Sequence, residues 1–545
     1  MTPVTPIYSG IQPYHAVSFL WLLPALPAAG ALLIALAGRM AERRFGWRAV
    51  AAVAIGSVTA AALVALVAVV GVLLRLPPGE RALVDAHGPI ASVGALEVSA
   101  TLTLGPLAGL LALLVTAGAV LTLVSALPRA PGWRYFFAMD LFAAAMLLTV
   151  LADNLMVLFA GWELIALCSY LLIEFDIGEA RSAAGASRAF IVNRAGDCAL
   201  FGAVALLLAG MAAGGPLEPQ SQVMVDVPGG AGAEMRTMGD RPHTAALREV
   251  AIGPTLSVRG LEDQVALHDV WLERPFALEL AGRTAAGLPL VLVVCLGLFL
   301  GAAAKAGQVP FAGWLRESAG APPAAAAFIN SVGPPLAGVY LLARFSFLFA
   351  LAPAATAVVA IAGAVTALAG ALAALAEEDL ARILALSTVS QLGLAFVAVG
   401  CGDVRAGVLQ LAAHAAIKAC LFVAAAAGAR RAYLVAALAL AGLPPASGFF
   451  AEHAVLAAVW HAPAPLVIRA VLWLLVISTV GLTALYAARS TTRLPAPDQA
   501  PRASSRAAAA LLAVAAVAIG PVGAILSRPP ALGGGGWALA AETRS

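Results

Sequence analysis

Seven side chains of proton-exchanging or counter-charge type stand in stretches that are otherwise apolar. Glu163 lies at the centre of LMVLFAGWELIALCSYLLI. A carboxylate surrounded by hydrocarbon has to be protonated, be paired with a cation on another helix, or face internal water. Each of these is a way of handling a proton, and an ionisable residue at such a depth points to function. Arg194 and Asp197, in FIVNRAGD, are spaced i and i+3 and share one helix face, close enough to pair. A static ion pair that locks helix packing is the structural alternative for them. Lys305, in LGAAAKAGQVPF, can release a proton when desolvated and regain it when a carboxylate or water approaches. Its alternative is a lysine snorkelling to an interface. His414 and Lys418, in LAAHAAIKACLF, are spaced i and i+4 on one face, and a histidine suits relaying a proton onto such a lysine. A packed polar contact is the plainer reading of that pair. Glu452, in GFFAEH, can terminate a row of alternating acids and bases, or sit with His453 among lipid headgroups.

The elements that position these groups are apolar runs of about twenty residues, recurring through a 545-residue chain that is 62% hydrophobic and 11% charged. The expected fold class is an all-α membrane protein with about 14 transmembrane helices. They fall near 16–38, 49–74, 103–127, 134–151, 154–174, 187–212, 288–316, 321–344, 350–376, 380–400, 404–428, 432–461, 466–489 and 506–527. The first run has no basic region before it and is followed by further spans, so it is expected to stay as the first helix. Arginines crowd alternate short loops, among them Arg39, Arg43, Arg44, Arg129, Arg134, Arg181, Arg188, Arg430 and Arg431. That asymmetry predicts both termini outside. The net charge of +3 comes without a basic stripe or stacking platform, so no nucleic-acid partner is expected. The five cysteines are dispersed with no CxxC spacing and read as small buried apolar residues. The chain holds no CxxCH, no iron–sulfur cysteine set and no Gly-rich dinucleotide fingerprint, so redox chemistry is expected elsewhere.

Two runs are interrupted alike, one at Lys305 to Pro310 and one at Gly442 to Gly448. Paired Gly/Pro breaks about five helices apart predict two inverted five-helix repeats whose broken helices mark two half-channels. The expected division is N-terminal helices in 1–130, a first repeat in 134–344, a second in 350–489, and a C-terminal helix and tail in 490–545. An insert at 213–287 carries SQVMVDV and TLSVRG, alternating patterns that predict short strands of an external β element. His243 and His268 within it are isolated and read as surface residues. Glu377, Glu378, Asp379 and Arg382 read as a solvated turn.

DNLMVLFAGWELIALCSYLLIEF, SRAFIVNRAGD, GAAAKAGQVPFAGWLRESAGAPPAAAAFIN, DLARILALSTVSQLG, HAAIKACLF and ALAGLPPASGFF together resemble the antiporter-like subunits of respiratory complex I, subunit L (chain 5) most of all. Related chains serve in Mrp-type sodium/proton antiporters and membrane-bound hydrogenases. The resemblance covers most of residues 100–490, with six motifs in the family's order. It implies a proton-translocating membrane subunit of a complex I-like NADH:quinone oxidoreductase in a bacterial-type inner membrane, partnered by other membrane subunits. NADH, FMN, iron–sulfur clusters and quinone would lie in partner subunits, with no cofactor in this chain. It also implies that Glu163 and Lys305 are the coupling carboxylate and lysine of the first half-channel, with Arg194 and Asp197 as neighbours, and His414 and Lys418 the relay of the second. The same fold admits a cation/proton antiporter, a hydrogenase or bicarbonate-uptake subunit, or a scaffold that no longer conducts. The second half departs from the family's pattern at three positions: Asn330 and Gln410 stand where the family usually has histidine, and Glu452 where subunit L has lysine. The long lateral helix that ends subunit L has no expected counterpart in this sequence.

Overall fold

The computed structural model describes residues 14–77, 81–93, 96–129, 132–175, 180–213, 222–227, 234–235, 243–249, 255–267, 275–276, 279–280, 283–284, 288–494 and 503–526. Backbone immersed in hydrocarbon has to satisfy its own N–H and C=O groups, so the apolar runs fold as helices. They are α1 (Leu22–Phe45), α2 (Trp47–Leu66), α3 (Pro106–Ala126), α4 (Trp133–Leu151), α5 (Leu155–Ile173) and α6 (Ala180–Ala213). After the insert, which contributes α7 (Val258–Leu267), come α8 (Leu290–Lys305), α9 (Gly313–Glu317), α10 (Pro323–Ser331), α11 (Pro334–Arg344) and α12 (Ser346–Ala350). The chain continues through α13 (Pro353–Ala376), α14 (Leu380–Gly400), α15 (Val404–Ala427), α16 (Arg430–Leu440), α17 (Ser447–His461), α18 (Leu466–Thr492) and α19 (Ala503–Leu526).

Among the described residues twelve helical stretches are long and apolar enough to cross a membrane, against the fourteen expected. The difference lies in the two interrupted runs. At 16 residues α8 is about 24 Å long, short of a hydrocarbon core of about 30 Å. The second run divides into α16 and α17, of 11 and 15 residues.

The two breaks share one hydrogen-bond pattern. After α8, the Gly307 amide donates to the Ala304 carbonyl, the Gln308 amide to Ala303, and the Phe311 amide to Gln308. After α16, the Gly442 amide donates to Ala439, the Leu443 amide to Leu438, and the Ala446 amide to Leu443. Gly307 (φ 61°) and Gly442 (φ 69°) supply the left-handed residue that this helix ending demands. A proline follows three residues later in each, Pro310 and Pro445. The same local chemistry therefore interrupts both runs.

The helices pack through small residues, as expected where lipid removes the hydrophobic drive between them. A methyl group added at Gly196 of α6 would lie 2.2 Å from Ala304 Cβ of α8, and one at Gly301 of α8 would lie 2.8 Å from Leu200 Cβ. On α13 and α14, Gly363, Gly370 and Gly393 allow backbone approach in the same way.

Strands occur outside the spans. A three-stranded sheet of His15–Ala16, Leu83–Asp85 and Leu102–Leu104 and a hairpin of Pro89–Val93 with Leu96–Ser99 were not expected from the sequence. In the insert, Gln222–Val227 pairs antiparallel with His243–Glu249, so SQVMVDV forms a strand and His243 starts one. TLSVRG does not: it opens helix α7, because Ser257 Oγ accepts the Gly260 amide at 3.0 Å as an N-cap. His268 lies outside the described residues. Asp153 fastens α7 to the spans. Its carboxylate accepts from Ser257 Oγ at 2.6 Å and the Arg259 amide at 3.2 Å, and lies 3.5 Å from Arg344 Nη2.

Candidate functional site

The small-residue seam between α6 and α8 brings the end of α8 against α6, and this sets the first cluster. Lys305, the last residue of α8, is wholly buried, and its Nζ lies 3.4 Å from Asp197 Oδ1 without the alignment of a hydrogen bond. Asp197 also accepts from Trp162 Nε1 at 2.5 Å, and the Trp162 ring centroid is 5.3 Å from Lys305 Nζ. Arg194 Nη2 is 2.7 Å from Asp197 Oδ2, while its Nη1 donates to Glu163 Oε2. The order is therefore Glu163, Arg194, Asp197, Lys305, with acid and base alternating. Glu163 and Lys305, the expected coupling carboxylate and lysine, are thus joined through their expected neighbours Arg194 and Asp197. Glu163 on α5 meets Arg194, and the carboxylate nearest Lys305 is the one that the seam carries on α6. Glu163 and Arg194 are partly exposed, with side-chain accessibilities of 27% and 33%, whereas Asp197 and Lys305 are enclosed.

The second cluster is built on the facing sides of α14 and α15. Gln410, His414 and Lys418 recur every four residues and form a stripe about 12 Å long on α15. All three are buried. Lys418 Nζ donates to the Leu384 carbonyl at 2.9 Å and to Ser387 Oγ. No described carboxylate lies within ion-pair distance of it, unlike Lys305. His414 Nε2 is 3.1 Å from the Asn330 carbonyl oxygen, which can only accept, so Nε2 carries the proton and Nδ1 is the open acceptor. Asn330 donates to Ser318 Oγ at 2.8 Å and to the Ala326 carbonyl at 3.0 Å.

Gln410 Nε2 donates to Gln391 Oε1 at 2.7 Å, and Gln391 Nε2 reaches Thr483 Oγ1 at 3.4 Å. The Gln391 side chain also lies beside the Glu452 carboxyl. Glu452 is buried at 4% exposure. It packs on the second break, where a methyl group at Gly442 would fall 2.2 Å from its Oε2.

Several polar groups in these surroundings were not anticipated. Trp162 touches Asp197 and Lys305 in the first cluster and Gln391 joins Gln410 to Thr483 in the second, yet neither is titratable and the sequence marks neither by spacing. Gln308, in the first break, is wholly buried. Asp140 is different, being a carboxyl in YFFAMDLFAAAMLL, a setting as apolar as that of Glu163. Four of the five cysteines are buried, Cys198 is exposed, and all are free.

A family model described as NADH:quinone oxidoreductase/Mrp antiporter, transmembrane region, matches residues 152–215 and 276–432. Those segments contain Glu163, Arg194, Asp197, Lys305, His414 and Lys418; Asp140 and Glu452 lie outside them. The chain is 30% identical over 475 residues to NADH-quinone oxidoreductase subunit L of Mycobacterium tuberculosis, covering 81% of this chain and 64% of that protein. It is 30% identical over 413 residues to subunit L of Escherichia coli, covering 75% of this chain and 57% of that one. A solved structure of the Mrp complex from Dietzia sp. DQ12-45-1b contains a chain that superposes with a TM-score of 0.73 at 25% identity, over 96% of this chain and 52% of that one. The chain thus spans about half to two thirds of the length of these relatives.

Proposed function

The chain is an antiporter-like membrane protein of the NADH:quinone oxidoreductase/Mrp antiporter family, and on that premise we propose that it translocates protons as a membrane subunit of a complex I-like NADH:quinone oxidoreductase. Within such an assembly NADH, flavin, iron–sulfur clusters and quinone belong to partner subunits in a bacterial inner membrane. The observation that carries the reading is the row Glu163, Arg194, Asp197, Lys305, in which each charge contacts one of opposite sign. Changing the protonation of one member alters the neighbour's hold on its own proton, and that coupling hands a proton along. Two unit charges 4 Å apart interact by about 4 kcal/mol at an effective dielectric of about 20, well above the 1.4 kcal/mol that makes a tenfold difference.

In the second half, His414 is the titratable relay, Lys418 its partner on the same face, and Glu452 the terminus. The amides of Asn330 and Gln410 cannot titrate near neutrality, so protons pass them only through water. The buried open acceptors His414 Nδ1, Gln410 Oε1 and Glu452 Oε1 give such water its partners.

The likeness to the Mrp complex over nearly the whole chain favours one second reading, a cation/proton antiporter subunit. Reconstituting the native assembly with Glu163→Gln or Lys305→Ala, and following proton uptake beside electron transfer, tests the proposal. Pumping should fall about tenfold or more in both variants. Unchanged pumping in both would remove the half-channel assignment, and purification with a multi-subunit antiporter instead of quinone-reducing subunits would transfer it to the second reading.

A further inference from the structure

We propose that Asp140 is a proton-binding site of the N-terminal helices, separate from the central row and occupied as a neutral carboxylic acid at the junction of α1, α2 and α4. Asp140 is wholly buried on α4. Ser57 Oγ of α2 lies 2.8 Å from Asp140 Oδ2 and also 2.8 Å from the Ala54 carbonyl oxygen of its own helix. A hydroxyl has one proton, and both of these neighbours are acceptors if Asp140 is ionised. One close oxygen–oxygen contact would then lack a proton. A protonated Oδ2 supplies it, donating to Ser57 Oγ while the hydroxyl donates to Ala54.

The surroundings leave an ionised carboxyl unsupported. Asp140 Oδ1 has no hydrogen-bond partner, and no described cation lies within ion-pair distance. The charges of α1 (Arg39, Glu42, Arg43, Arg44) and of α2 (Arg48) lie nine or more residues along from Gly30 and Ser57, about 13 Å or more away along the helices. Helix α3 carries no charge. On α5, Glu163 approaches the other side of α4: Thr149, which faces Gly161, is nine residues from Asp140, about half a turn round the helix. Gly30 of α1 completes the pocket, since a methyl group there would sit 2.4 Å from Asp140 Oδ2. A hard cation such as calcium or magnesium would require about six oxygen ligands. Among the described residues only the Asp140 carboxyl, Ser57 Oγ and the Ala54 carbonyl converge here.

Infrared spectroscopy of the full chain in lipid tests the site directly. The expected result is a carbonyl stretch of a protonated carboxylic acid that shifts down in D2O, is lost in Asp140→Asn, and moves to higher frequency in Ser57→Ala as its hydrogen bond is removed. No loss of acid carbonyl between wild type and Asp140→Asn would overturn the proposal. So would a band that turns into a carboxylate stretch when sodium chloride is added, which would mark a cation site. Should Asp140→Asn fail to fold, the Ser57→Ala shift decides alone, an unmoved band counting against the site.

Discussion

Gly442 and Glu452 tie the charge of the second half to a backbone break. The left-handed φ of Gly442 is open to glycine and strained for other residues, and the Glu452 carboxyl occupies the space where a side chain would begin. Gly442→Ala should therefore lower stability by about 1–2 kcal/mol and displace Glu452 from Gln391. Thermal unfolding of the purified protein checks the first effect, and a midpoint equal to wild type would show that the break tolerates a side chain. At this scale the sequence was legible where a charge interrupts an apolar run, as with Glu163 and Lys305. It was not legible where partnership depends on which helix lies opposite. Nothing in the local string pairs Lys305 with Asp197 over Glu163, because that choice is made by Gly196 and Gly301 letting α6 and α8 touch.

Among the elements, the breaks were written in the chain, since Gly and Pro punctuate helices through local backbone geometry alone. Helix α7 was not, because TLSVRG alternates like a strand and only the Ser257 cap, itself held by Asp153 a hundred residues away, turns it into a helix. The short helix α9 beyond the first break depends on a similar tether. Arg316 Nη2 lies 2.7 Å from Glu377 Oε2 at the end of α13, and Asp379 in the same turn caps α14 through the Arg382 amide. Burial would raise the Glu377 carboxyl, but the amides of Glu378 and Asp379 and the Arg316 guanidinium outweigh it and hold the group below its ordinary value of 4.5. A carboxyl depressed on folding adds stability that is complete above its unfolded value and is lost as pH falls through the folded one. The unfolding midpoint of wild type should therefore drop more steeply than that of Glu377→Gln as pH is lowered below about 4.5. Parallel curves for the two proteins would show that the tether contributes nothing to holding α9.

Over the whole molecule, the two polar clusters differ in a way that would set where the proposed transfer is slowest. The first is a run of charges in contact, Glu163 through Arg194 and Asp197 to Lys305. The second sets His414 between amides at Asn330 and Gln410, and its Lys418 rests on a carbonyl and a hydroxyl, with no carboxylate among the described residues in ion-pair reach. A carboxamide holds its protons at every accessible pH, so each amide position is a gap that only water closes, whereas an imidazole exchanges its proton near neutrality. If protons move along this axis, the link between Lys305 and Glu452 limits the rate. Replacing the amides should then relieve it: Gln410→His, alone and with Asn330→His, is expected to raise the rate of proton pumping in the reconstituted assembly, with the double variant the faster. The His414 contact to Asn330 survives the second change because it uses the main-chain oxygen. Flux that stays at the wild-type level in both variants, with electron transfer intact, would place the slow step outside the second half and make its departures from the histidine pattern neutral to transport.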